Sequence, residues 1–84
     1  MSLKLFINSI ENIYQNMNVY RAIIIINNEI DIRLLMNILR RNNHNPKIIE
    51  EDSIINYNYK LFIIFDEKLL DKFNKNYYNL IIVY

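Results

Sequence analysis

Eighty-four residues make room for one domain, since single domains run from about 50 to 200 residues and one this size buries roughly two-thirds of its unfolded surface. An apolar fraction of 52% beside 23% charge lies far from the composition of disordered chains, and a net charge of +1 supplies no global field for nucleic acid or an anionic membrane. Cysteine is absent, which excludes disulfides, thiol nucleophiles and Cys-ligated metals and is compatible with a reducing compartment. Glycine is absent too. Phosphate-cradling loops and the Rossmann turn need it for positive φ and close backbone approach, so neither standard nucleotide site is built and no cofactor is expected.

Isoleucine (18) and asparagine (15) dominate the chain, and Tyr and Lys are also plentiful. All four have A- and T-rich codons, so the composition reads as that of an AT-rich genome, in an organism or organelle, with most Asn on solvated surface. The longest apolar runs, residues 22–26 and 61–65, have the length of strands and fall far short of the roughly 18 residues a spanning helix needs. The expected setting is intracellular, cytoplasmic or nuclear, with no membrane partner.

Residues 3–17 carry Leu3, Phe6, Ile10, Ile13 and Met17 at three- and four-residue spacing, one stripe of an amphipathic helix that Ser2 can cap. Residues 21–27 change character: Ala22 and four consecutive Ile have no polar alternation, the mark of a strand buried on both faces and central in a parallel sheet. Asn28 then reads as an N-cap, with Glu29 and Asp31 in a first turn that favours carboxylates. The helix it opens has Ile30, Leu34, Leu35, Ile38 and Leu39 as its buried face, and ends in Arg40 and Arg41 before the stop at Pro46.

Residues 47–50 predict a short second strand with a polar loop, Glu50 to Ser53, at its end. Residues 54–59 mix apolar and Asn positions without a clear period. Residues 61–65 form a second buried-strand run closed by Asp66, which caps a further helix with Leu69, Leu70 and Phe73 as its apolar face. Residues 80–84 supply the last strand. The order α-β-α-β-loop-β-α-β predicts an α/β fold: a small, doubly wound, mainly parallel four-stranded sheet with helices on both faces.

The stretch Arg21-Ala22-Ile23-Ile24-Ile25-Ile26-Asn27, followed by a helix with paired Leu34 and Leu35, resembles the start of the second RecA-like domain of DEAD-box RNA helicases. Leu61-Phe62-Ile63-Ile64-Phe65-Asp66 is similar to that family's strand ending in Thr-Asp, and Tyr78-Asn79-Leu80-Ile81-Ile82-Val83-Tyr84 to its Val-Asn-x-Val-Ile-Asn-Tyr strand. The resemblance implies a RecA-like domain over nearly the whole chain, but a truncated and degenerate one. Leu70-Asp71-Lys72-Phe73 lies where the family carries Arg-Gly-x-Asp, and neither the arginine nor the glycine is there. The family's His-Arg-x-Gly-Arg motif, which holds its arginine finger, has no counterpart in these residues. The helix that normally joins the second and third strands is reduced to residues 53–59, which reach ~23 Å when extended at about 3.3 Å per residue. The implied role is a module without ATPase activity that binds a protein partner or RNA.

Several groups of residues are candidates for that role. Arg40, Arg41 and Lys47, with His44, make a basic cluster that could touch RNA phosphates; helix-dipole complementarity is the simpler account of the arginines, with the rest as solvated loop, and His44 reads as a surface residue. Tyr77, Tyr78 and Tyr84 are candidates for a protein partner or simply cover the rims of the core. The final strand, if it lies at a sheet edge, offers its backbone for self-association. A different reading comes from the acidic residues at the carboxyl ends of the strands: Glu29, Asp66 and Glu67 resemble the magnesium-holding set of a Toprim domain that acts on nucleic acids. Helix capping explains Glu29 and Asp66 without a metal.

Overall fold

The computed structural model describes residues 2–16 and 21–84. Helix α1 (Leu3–Asn16) leads to strand β1 (Ala22–Ile25), helix α2 (Glu29–Arg41), strands β2 (Pro46–Ile48) and β3 (Leu61–Ile64), two short 3-10 helices (Glu67–Lys72 and Lys75–Tyr77), and strand β4 (Leu80–Val83). The described strands form one four-stranded sheet in the order β2-β3-β1-β4, parallel throughout. This is the α/β architecture expected from the sequence. Met17, assigned above to the first helix, lies outside the described residues.

Strand β1, Ala followed by three Ile, lies inside the sheet because it is apolar all round. Ile23 and Ile24 are completely buried although they point to opposite faces, and β1 pairs in register with β3 on one side and β4 on the other. On one face Ala22, Ile24, Ile26, Leu61 and Ile63 pack against Phe6, Ile7 and Ile10 of α1 and Leu35, Met36 and Leu39 of α2. On the other, Ile23, Phe62 and Ile64 lie under Leu69 of the first 3-10 helix and Phe73 just after it, with Ile55, Tyr57, Tyr59 and Tyr78 around them. Connections that step toward β2 run over the first face and those that step toward β4 run over the second, as a single crossover hand requires.

Local signals place the ends of these elements. The Ser2 hydroxyl accepts the N–H of Leu5 at 3.2 Å, and the Asn28 side chain accepts those of Ile30 and Asp31, so both α-helices carry the caps their sequences provide. At the other end of α2 the N–H of His44 reaches the Leu39 carbonyl and that of Asn43 reaches Arg40, the two bonds of a Schellman terminus. Asn43 holds the left-handed position at φ 66°. In a chain without glycine, Asn is the substitute that tolerates it best.

Three expectations are corrected. Ile30 and Leu34 are exposed, at 71% and 47%, while Ile32 and Met36 turn to the core with Leu35 and Leu39. Pro46 begins β2 rather than preceding it; it stands at the first residue of an edge strand, where no ladder N–H is needed. The segment after Asp66 is a 3-10 helix rather than an α-helix, although Asp66 caps it as expected by accepting the Lys68 N–H at 2.9 Å.

Adjacent leucines on α2 give a direct check. Leu35→Ala is expected to cost about 3 kcal/mol in urea unfolding, because it opens a cavity at a fully buried site, and Leu34→Ala less than about 1 kcal/mol. Equal costs would mean that the helix presents a different face.

Candidate interaction surface

Because every strand runs the same way, the carboxyl ends line one edge of the sheet, where Asn27, Glu29, Glu50, Asp66 and Tyr84 follow their strands. Open clefts lie there. One, of about 400 Å³, is bordered by Glu29, Arg33, Glu50 and Phe65; a second, of about 410 Å³, by Asp66, Glu67, Val83 and Tyr84; a third, of about 420 Å³, by Asn28, Asp31 and Tyr84. The acidic candidates are therefore divided: Glu29 borders the first cleft, Asp66 and Glu67 the second, and Asn27 is common to both. Glu29 pairs with Arg33 at 3.3 Å across one turn of α2, an exposed pair that adds little stability. Asp66 is engaged as a cap. Among the described residues no three acidic or imidazole side chains form a group able to hold a metal ion, and the core contains no polar side chain.

The basic candidates separate as well. Arg40 and Arg41 are exposed in the last turn of α2, and Arg40 borders a shallow cleft with Ile48 on the α-helical side of the sheet. Lys47, the residue before Ile48, points to the opposite face, its ammonium 5.9 Å from the centre of the Tyr59 ring. His44 leaves this cluster altogether. The Schellman turn aims it at α1, where its Nε2 lies 2.7 Å from Oε1 of Glu11, with only 21% of the imidazole exposed. It is a tertiary contact between two elements, not the surface residue the sequence suggested.

The three candidate tyrosines are each packed on a ring of this chain. Tyr77 stacks on Tyr57 at 4.6 Å, Tyr78 meets Phe73 edge-on at 6.2 Å, and Tyr84 meets Phe6 edge-on at 4.7 Å. Beside the first pair lies Arg21, which sequence reasoning passed over. Its Nε donates to the Tyr57 carbonyl at 2.9 Å, a terminal nitrogen donates to the same oxygen, and the other reaches the Tyr77 carbonyl at 3.4 Å. The guanidinium carbon lies 5.8 Å and 5.6 Å from the two ring centres. No local pattern marks this residue, because its partners are 36 and 56 positions away.

What remains open on the surface is the edge formed by β4. Ile81 and Val83 are 40% and 71% exposed on the face opposite the α-helices, near Phe65 at 42%. No described segment pairs with the outer side of the strand. Compared with protein-family models, curated proteins and solved structures, the chain matches none. No described helix is long and apolar enough to cross a membrane.

Arg21→Lys keeps the charge and loses the fork that grips two carbonyls. It is expected to lower stability by about 1–2 kcal/mol in denaturant unfolding. A lysine variant as stable as the parent would show that the clamp contributes nothing.

Proposed function

We propose that this chain is a reduced RecA-like module that works without catalysis and binds a protein partner along β4. The observation that carries the reading is the uncovered edge: four consecutive apolar residues, Leu80 to Val83, with free backbone on their outer side and Ile81 and Val83 standing in solvent. Strand addition fits such an edge, with main-chain hydrogen bonds giving affinity and alternate side chains giving selectivity.

The resemblance to a helicase domain supports the same direction. The residues aligned with the family's Arg-Gly-x-Asp segment, Leu70 to Phe73, here form the end of a 3-10 helix and the residue that caps it, and Phe73 packs on Phe62, so that segment serves the core. RNA binding is the weaker reading because Arg40 and Arg41 lie on one side of the sheet and Lys47 on the other, with no common basic face. The magnesium reading is weaker still, since its three carboxylates border two separate clefts.

The test is recovery of partners by tagged chain from RNase-treated lysate, with Val83→Lys run in parallel and its fold checked by circular dichroism. The expected result is a stoichiometric protein, this chain's own untagged copy included, that survives RNase and is lost with Val83→Lys. Recovery that depends on RNA, or that ignores the substitution, would refute a protein-binding β4.

A further inference from the structure

We infer that the partner strand is β4 of a second copy, paired antiparallel across a two-fold axis to give one continuous sheet. This rests on the reading of β4 as an interaction edge and names its occupant. Three features of the chain argue for it.

The first is the direction of the backbone. Ile25 stands in register with Val83, and the N–H of Tyr84 donates to the Ile25 carbonyl at 2.9 Å. In a parallel ladder that geometry turns Ile82 and Tyr84 inward to β1 and leaves the N–H and C=O groups of Ile81 and Val83 pointing outward. An antiparallel mate centred on Ile82 sets Ile81 opposite the second copy's Val83, and Val83 opposite its Ile81. Both are then hydrogen-bonded pairs, so every outward group of the two residues finds a partner.

The second is self-complementarity. Leu80-Ile81-Ile82-Val83 has no charge and no proline, so a two-fold axis places branched apolar side chains against each other without opposing like charges, and a net charge of +1 leaves little repulsion between copies.

The third feature sets the stoichiometry. The far edge of the sheet is β2, which begins with Pro46 and exposes Lys47, two devices that discourage edge pairing. One edge is open and the other guarded. Growth through β4 therefore closes at two copies and does not continue as a filament.

Sedimentation velocity from low to high micromolar concentration tests this directly. The wild-type chain should pass from monomer to dimer as concentration rises, and Val83→Lys should raise the dissociation constant about tenfold or more. Amide hydrogen exchange gives a readout that needs no variant: Ile81 and Val83 should gain protection only at dimer-forming concentrations, and Lys47 should not. A chain that stays monomeric, a dimer indifferent to Val83→Lys, or assembly past two copies would overturn the proposal. If the chain is monomeric while Val83→Lys still abolishes recovery of a different protein, self-pairing fails and β4 as a binding edge stands. If Val83→Lys affects neither, both fail.

Discussion

The structure depends on covering β1 from both sides. A strand of Ala and Ile, hydrogen-bonded along both edges, has no face that tolerates water, and each uncovered aliphatic side chain would forfeit about 1.5–3 kcal/mol. The described α-helices share one face, where Phe6, Ile10, Leu35 and Leu39 close the core. The other face is covered by the connections themselves, residues 49–60 and 66–79. Large rings make that feasible: Tyr57, Tyr59 and Phe73 pack around Phe62 of β3, with Tyr78 on Phe73, and cover in a few residues what a helix would cover in several turns. Arg21 at the base of β1 ties these connections to the sheet, donating to the carbonyls of Tyr57 and Tyr77 with one planar group. Lys72 adds a second tie by donating to the Glu51 carbonyl.

Elements with unbroken patterns were legible in the sequence. Two uninterrupted apolar runs gave β1 and β3, Asn28 gave the start of α2, and the alternation of types gave a parallel sheet. The buried face of α2 was legible only in part, for a geometric reason: Leu35, Ile38 and Leu39 pack on the core as expected, and Ile30 and Leu34 do not. Around those three the helix is apolar on both flanks, Ile30 and Leu34 on one and Ile32 and Met36 on the other, and either flank satisfies a 3.6-residue period. Which one is buried is decided by where α1 sits, a tertiary fact that periodicity in one helix does not contain. The 3-10 helix after Asp66 escaped for a related reason: Leu69 and Phe73 are four apart, as in an α-helix, and nothing local records how tightly the chain must turn to stay over Phe62.

The interaction surface was legible in one part and hidden in the rest. The final strand's edge position was named as a condition, and the sheet order meets it. The charged candidates fared differently, because residue types near each other in sequence were separated by the pleat: Lys47 and Ile48 are neighbours, yet they face opposite sides. His44 and Arg21 were hidden because each acts over a long sequence separation, 33 residues to Glu11 and 36 to Tyr57. The turn that directs His44 contains its own explanation, since a left-handed Asn43 reverses the chain where a glycine would ordinarily stand.

The two edges of the sheet differ in a way that composition alone does not explain. A bias toward Ile and Asn codons would load both edges alike, yet β2 presents proline and lysine while β4 is apolar at every position. An edge strand with one face on a core normally alternates apolar and polar residues, and β4 does not: Leu80 and Ile82 pack inward, and Ile81 and Val83 are equally apolar but stand outside. Its pattern is that of β1 and β3, strands with neighbours on both sides. In a four-stranded sheet that pattern sits one place too far out, and the mismatch is resolved when a further strand lies beside it.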